Sequence, residues 1–280
     1  MLKKVYSKLL IFLASVKSRV IKKLLGGRVD ALLVRTARGD FLVDPADLGV
    51  GGMVTKSGGY GDHEIARIES LTDKSSNVLF VGGHIGTIAI PIAETVHKVT
   101  VVEPNPKTHR LLKTNIAING TDNIRTVTVA ASDQKGEIEF VLNTTNSGGS
   151  KRMPIIKDYM YFYDNPEITS VPCDRLDDLV PEPVDLIVMD IEGSEYFALK
   201  GMPRHLSETQ HLIIEFLPHH LRNVAAITVA EFLKPIENEF DQLFIPSRQM
   251  TVRREEFQKV LEEMYEADMC DEAMVFSKTR

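Results

Sequence analysis

The sequence has little cysteine and, in its first segment, no acidic residue. The 280 residues contain two cysteines, Cys173 and Cys270, which are too few for a disulfide framework or a zinc ligand set. This scarcity favours a reducing cytoplasm. The formal net charge of −6 weighs against general nucleic-acid binding. The length suits one large domain, or one domain with an attached cap.

Residues 1–27 carry seven basic side chains and no acidic one. Their apolar stretch, residues 9–14, is far too short to span a bilayer. Apolar residues recur at helical spacing from Leu2 to Val20, and Gly26 and Gly27 follow, so the pattern predicts a basic amphipathic helix. Such a helix packs on its own domain or on another copy of the chain, or lies peripherally on a membrane surface through residues 1–25.

Residues 28–76 predict a hairpin and a cap in front of the main domain. Residues 31–34 and 40–44 look like two short strands joined by a turn at 38–40. The glycine-rich stretch 49–61 is typical of a flexible segment that closes over a site or serves as a linker. A helix is expected at 62–71.

From residue 77 the pattern changes to alternating strands and helices. Short apolar strands predict a buried parallel sheet and an α/β domain over 77–280. The tail alternates helices with two strands that would pair as an antiparallel edge. The predicted strands are 77–81, 98–102, 125–130, 137–142 (a hairpin), 185–189, 211–216, 242–245 and 272–276, and the predicted helices are 87–96, 107–119, 196–199, 229–239 and 254–265. The polar segment 143–170 is typical of a lid or a binding loop.

The strongest chemical signal is a strand that runs into a glycine turn at residues 82–86 and then into a helix. Glycines let a backbone approach a ligand closely, and the helix start presents free N–H groups. The next strand ends in Glu103, a carboxylate that can accept both hydroxyls of an adenosine ribose. The turn reads G-G-x-x-G rather than G-x-G-x-x-G, which disfavours a dinucleotide and an NAD-type oxidoreductase. S-adenosylmethionine has no phosphate and tolerates such a turn.

The sequence resembles the FkbM-type methyltransferases, class I enzymes that mostly O-methylate sugars and natural products. The resemblance covers about residues 40–217, and its motifs lie at 82–86, 102–106, 131–136, 174–179 and, as D-x-E-G-x-E, at 190–195. It implies a Rossmann-like class I methyltransferase fold, with a mostly parallel sheet and an antiparallel edge after the N-terminal helix and hairpin. It also implies S-adenosylmethionine as cofactor and a hydroxyl of a sugar, glycan or secondary metabolite as acceptor.

The glycine turn and the resemblance together give a set of expected cofactor-binding residues. Glu103 would hold the ribose, Ser132 and Asp133 would border the adenine, and residues 60–64 would close over the cofactor. The full set is Tyr60, Glu64, Gly82, Gly83, His84, Gly86, Glu103, Pro104, Asn105, Ser132, Asp133 and Asp190.

The candidate catalytic residues are Asp190, Glu192 and His63. Methyl transfer to a hydroxyl needs a positioned acceptor and a nearby base, and the two acids follow the fourth strand of the predicted parallel sheet, where ligands of open α/β sheets gather. His63 is a base or a helix-start residue. These acids could hold Mg²⁺, but no metal-ligand set is fixed by the sequence. Glu195 serves the site or only the start of a helix.

Two positions depart from the family. The family usually has Asp where this chain has Phe80, and Asn where it has His84. The usual acid helps to bind the methionine amino group, a role that Glu64 or Asp190 could take over. The alternative is a non-catalytic binding relative that kept the fold. Glu215 at the end of the fifth strand and His219 after it are further candidates for the acceptor site, although the pair 219–220 lacks metal-ligand spacing.

Overall fold

The computed structural model describes the backbone of residues 2–279 and the side chains of residues 9–279. The side chains of Leu2 and Val5, with which the predicted apolar helical pattern begins, therefore lie outside the described side chains. The helices are α1 (Leu2–Leu25), α2 (Val50–Ser57), α3 (Asp62–Leu71), α4 (Ala89–Ala93), α5 (Pro106–Ile118), α6 (Leu176–Leu179), α7 (Glu195–Lys200), α8 (Pro203–Glu208), α9 (Pro218–His220), α10 (Val229–Leu233) and α11 (Phe257–Glu266). The strands are β1 (Leu32–Thr36), β2 (Gly39–Val43), β3 (Asn77–Val81), β4 (Lys98–Val102), β5 (Ile124–Val127), β6 (Ala130–Ala131), β7 (Gly136–Leu142), β8 (Lys151–Arg152), β9 (Glu167–Asp174), β10 (Leu186–Met189), β11 (His211–Phe216), β12 (Gln242–Ile245), β13 (Met250–Arg253) and β14 (Asp271–Ser277).

The predicted N-terminal helix is present as α1, and it contacts the rest of the chain through small residues. Ser15 and Ser18 are buried, and Ser18 Oγ donates a hydrogen bond to the carbonyl oxygen of Ala46 at 2.6 Å. Much of its apolar surface is exposed, including Leu9, Leu10, Phe12, Leu13, Val16 and Val20. Nowhere in residues 2–279 does a helix combine the length and apolarity needed to cross a bilayer. Contact with a membrane or a second copy stays a prediction.

The predicted hairpin is confirmed, since β1 and β2 pair antiparallel. It is joined to α5 by side-chain bonds: the Leu42 N–H donates to Asn115 Oδ1 at 2.7 Å, and the Asp40 N–H donates to Asn119 Oδ1 at 2.9 Å. The division of the chain at residues 27 and 76 stays a prediction.

The glycine-rich stretch is not a flexible segment throughout, and that expectation was wrong for residues 50–57, which form α2. The carboxylate of Asp47 accepts the N–H groups of Gly49 at 2.8 Å and Gly51 at 3.2 Å. Such bonds satisfy donors that have no partner inside a helix. Val50 and Val54 then bury their side chains, and this burial offsets the low helix propensity of glycine.

Eight of the strands in residues 2–279 form one sheet, in the order β13-β12-β14-β11-β10-β3-β4-β5. Five neighbouring strands are parallel, namely β11, β10, β3, β4 and β5. The three tail strands, β12, β13 and β14, add antiparallel pairs at one side. The predicted α/β class, with a mostly parallel sheet and an antiparallel edge, is confirmed. Alternate residues of the parallel strands enter two core clusters, for example Leu79 and Ile187 in one and Val78 and Val188 in the other.

A second, four-stranded sheet, β6-β9-β7-β8, was not predicted. The expected strand 125–130 is divided, because β5 joins the main sheet while β6 pairs with β9. Segment 143–170 is not wholly a loop, since it contains β8 and the start of β9, which pairs with β7 along its length. Phe140 and Val171 bury one face of this small sheet. The helices expected at 87–96 and 229–239 are shorter, and α10 ends before Pro235, as proline disfavours helix at the residue that precedes it.

Candidate active site

A cleft of about 1130 Å³, including its open mouth, lies at the carboxyl ends of β3, β4 and β10. This is the edge at which open α/β sheets bind ligands. Of the predicted site residues, nine line the described part of the cleft: Tyr60, Glu64, Gly82, Gly83, His84, Glu103, Pro104, Asp190 and Glu192.

At the glycine turn the backbone itself forms part of the cleft wall. There is no room for a side chain at Gly82 or Gly83. Gly82 has φ +91°, and a Cβ at this position would lie 1.9 Å from the carbonyl oxygen of Asp190. A Cβ on Gly83 would lie 1.9 Å from Val101 Cγ1. Gly86 also has a positive φ, but a Cβ at this position would point at Leu112, and the residue does not line the cleft. Its role is packing between the turn and α5.

Glu103 is buried at the end of β4, with 6% of its surface exposed. Its Oε2 accepts the His84 N–H at 2.9 Å and its Oε1 accepts the Asn105 N–H at 2.8 Å. Burial raises the pKa of Glu103 from its ordinary 4.5 to about 7, although these two hydrogen bonds act in the opposite direction. Asn105 caps α5 through Oδ1, which accepts the Lys107 N–H at 3.0 Å, and it does not line the cleft.

We expect Glu103→Gln to gain stability relative to the wild type as pH rises, in the ligand-free protein. A carboxyl group with a raised folded-state pKa binds a proton more tightly in the folded state, so the wild type loses stability as pH rises from 4.5 through about 7. Each pH unit in that window corresponds to about 1.4 kcal/mol, which gives roughly 3 kcal/mol in all. Denaturant unfolding of both proteins at pH 5 and pH 8 measures this difference. A difference that does not change with pH would refute the raised pKa.

His84 connects the glycine turn to the segment 143–170. It has φ +47°, and its Nε2 lies 2.7 Å from Ser147 Oγ. Ser147 Oγ in turn donates to Asp47 Oδ2 at 2.7 Å, so His84 donates from Nε2. His84 Nδ1 is buried without a hydrogen-bond partner among the described residues, and burial lowers the pKa of this imidazole. The bend at 147–150 therefore lies over the turn.

Two acids line the cleft together with Phe80, the position at which the family resemblance predicts an Asp. Burial raises the pKa of Glu64 to about 7. Burial, with Glu192 and Glu64 nearby, raises the pKa of Asp190 well above its usual range. Both side chains and Phe80 line the cleft, so the cleft keeps acids even though β3 does not supply one.

Several predicted residues are not in the cleft walls. His63 is exposed in the first turn of α3. Ser132 is fully buried and its N–H donates to the carbonyl of Asp174, while Asp133 forms an ion pair with Lys200 at 2.7 Å. The wall near them is formed by Ala130, Ala131 and Phe140. Glu195 accepts the Ile191 N–H at 3.0 Å at the start of α7. Of its two predicted roles, in the site or at the start of a helix, this contact fits the second.

A second cavity, of about 440 Å³, adjoins the cleft and shares Glu192 and Asn146 with it. Lys151 lies in its wall, 5% exposed, with Nζ 2.8 Å from Glu192 Oε2. Glu192 adopts φ +56°, which is uncommon for a residue with a side chain. His219 and His220 also line the cavity. The sequence predictions missed Lys151, because a single lysine beside a glycine-rich bend carries no local signal.

Solved structures of several methyltransferases are similar to this chain. The FkbM methyltransferase of Methylobacillus flagellatus KT has a TM-score of 0.44 and 18% identity, over 73% of this chain and 44% of that one. This chain thus spans less than half the length of that protein. An rRNA methylase of Streptococcus thermophilus has a TM-score of 0.45 and 12% identity, over 78% of this chain and 95% of that one. The Streptococcus mutans protein SMU.1697c, solved in complex with SAH, has a TM-score of 0.44 and 10% identity, over 77% and 96%.

None of the curated proteins matches the chain. The family model of the methyltransferase FkbM domain matches residues 81–268, well over half of the sequence. The matched range includes the glycine turn, Glu103 and the acids beyond β10. With its mostly parallel α/β sheet, the chain belongs to the FkbM methyltransferase family.

Proposed function

We propose that this chain is an S-adenosylmethionine-dependent methyltransferase that methylates a hydroxyl of a sugar, glycan or secondary metabolite. The observation that carries the proposal is the pairing of a buried Glu103 carboxylate with two glycines that leave no room for a side chain, in one cleft of an FkbM family member. A carboxylate next to glycines that let the backbone come close to a ligand is a suitable site for a ribose.

The residues of the cleft fit this cofactor in three ways. Glu103 would accept the ribose hydroxyls, and the apolar wall of Ala130, Ala131 and Phe140 suits an adenine ring. Glu64 and Asp190 supply carboxyl oxygens that would accept hydrogen bonds from a methionine amino group, in place of the acid that the family usually has at position 80. When bound, S-adenosylmethionine supplies a methyl group that its sulfonium already activates.

The second cavity suits a polar acceptor. Its walls combine amide, ammonium and imidazole groups with the rings of Tyr161 and Tyr163, and polar groups around an aromatic surface are suited to binding a sugar. Glu192 lines both spaces, so it is our candidate for the carboxylate that orients the acceptor hydroxyl and receives its proton. Asp190 would act mainly on the cofactor side. His63 lines neither the cleft nor the second cavity.

The test is transfer of a labelled methyl group from S-adenosylmethionine to panels of glycans, small hydroxylated metabolites and RNA. We expect product with at least one hydroxyl acceptor and none with RNA, in keeping with the net charge of −6. Transfer to RNA would overturn the assigned acceptor class. Cofactor binding without transfer to any acceptor would favour a non-catalytic relative, and binding of NADH alone would favour an oxidoreductase.

A further inference from the structure

Three side chains converge at the wall of the second cavity. Glu192 follows β10, Glu215 lies in β11 and His220 ends α9. One ligand atom from each lies within 4.8 Å of the other two. The sequence predictions did not combine them because they come from three separate elements, and the spacing within each element is uninformative.

Two polar atoms of this group lack hydrogen-bond partners. His220 Nδ1 lies 3.5 Å from Glu215 Oε2, and His220 Nε2 lies 3.3 Å from Glu192 Oε2. Glu215 Oε2 and His220 Nδ1 are buried with no hydrogen-bond partner among the described residues, in side chains that are 8% and 3% exposed. Buried polar atoms in folded proteins nearly always have a partner, so two unpartnered atoms 3.5 Å apart beside the second cavity indicate a ligand that both can contact.

The charges of the ligating side chains determine the sign of that ligand. Glu192 and Glu215 each offer a carboxylate oxygen, and Lys151 Nζ lies 2.8 Å from Glu192 Oε2. Lys151 makes no described hydrogen bond to Glu215. One ammonium only partly balances two carboxylates, which favours a further cation and disfavours an anion.

The donor set determines the kind of cation. Two carboxylate oxygens and one imidazole nitrogen suit Mn²⁺ or Zn²⁺ better than Mg²⁺, which prefers oxygen ligands alone. Three protein ligands are also the usual number at sites that keep a position for water or substrate. Glu192 and His220 line the second cavity, so such a position is accessible to an acceptor.

We propose that Glu192, Glu215 and His220 form a binding site for one Mn²⁺ or Zn²⁺ ion. Bound there, the ion would lower the pKa of an acceptor hydroxyl in the second cavity, and the hydroxyl proton would pass to solvent. In that state Glu192 acts through the ion rather than as a free base. The role in transfer rests on the proposed function, whereas ion binding does not.

The experiment is calorimetric titration of the chelator-treated full chain with MnCl₂ and ZnCl₂, without S-adenosylmethionine. We expect one ion per chain, and at least about tenfold weaker binding in Glu215→Gln and His220→Gln, since each loses a ligand. His97→Gln is the control, because this exposed imidazole lies outside the group and outside both cavities, and the affinity of this variant should equal that of the wild type. Manganese electron paramagnetic resonance gives a second readout.

Lys151→Met tests the site in the opposite direction. Removing an ammonium that lies 2.8 Å from a ligand carboxylate removes repulsion on the ion, so binding should become several-fold tighter. Circular dichroism checks that each variant is folded. Absence of binding in the wild type, unchanged affinity in both folded ligand variants, or unchanged or weaker binding in folded Lys151→Met would overturn the proposal. Titration with S-adenosylhomocysteine is independent, so failure of the cofactor assignment would be distinguishable.

Discussion

We expect Glu103→Ala to bind S-adenosylhomocysteine at least about a hundredfold more weakly than the wild type. A carboxylate that accepts two ribose hydroxyls makes two charge-assisted hydrogen bonds, each contributing about 1.5–3 kcal/mol. The variant also leaves the N–H groups of His84 and Asn105 without their acceptors, which loosens the turn beside the ligand. Isothermal titration calorimetry measures the change.

Two further variants separate recognition of the ribose from damage to the fold. Glu103→Gln keeps an oxygen acceptor and should lose about tenfold in affinity. Glu94→Ala removes an exposed glutamate outside the cleft and should bind like the wild type. If Glu103→Ala binds normally while it remains folded, Glu103 does not hold the ribose.

Gly82→Ala is expected to destabilise the protein by about 4 kcal/mol or more, or to prevent soluble expression. The left-handed backbone at φ +91° costs a residue with a Cβ about 1–2 kcal/mol. In addition, the new Cβ would lie 1.9 Å from the carbonyl oxygen of Asp190, so the start of the segment after β10 must move. Overpacking against a backbone atom in a close-packed core adds to the cost.

Gly120→Ala is the matched control for this prediction. Gly120 also has a positive φ, +65°, but among the described residues no atom lies within 4 Å of the position that a Cβ would take there. It should therefore lose only about 1 kcal/mol. Guanidinium unfolding of the two variants measures both losses. Equal losses would show that backbone conformation alone, and not the contact with Asp190, requires glycine at position 82.

The main sheet was predictable because buried parallel strands are apolar along their whole length. The runs that became β3, β4 and β11 begin and end where the pattern indicated. The small sheet was not predictable in the same way. Strand β9 mixes polar and apolar residues without a regular period and contains Pro172, so its pairing with β7 depends on a distant partner that no local pattern reveals.

The candidate site was predictable where a motif fixes the backbone. The glycine turn and Glu103 lie together because consecutive parallel strands end at the same edge of a sheet. Asn105 belongs to the same motif, yet its side chain caps α5, and helix capping and ligand binding favour similar residue types. The acceptor side could not be predicted, since Lys151 and His220 meet Glu192 only after three segments fold together.

Calorimetric titration of the wild type with S-adenosylhomocysteine tests most directly whether the cleft binds the methionine nucleoside. Parallel titration with NADH addresses the dinucleotide alternative that the glycine spacing disfavours. We expect saturable binding of S-adenosylhomocysteine with one site per chain and no measurable heat with NADH. Binding of NADH, with no binding of S-adenosylhomocysteine at millimolar concentration, would contradict it.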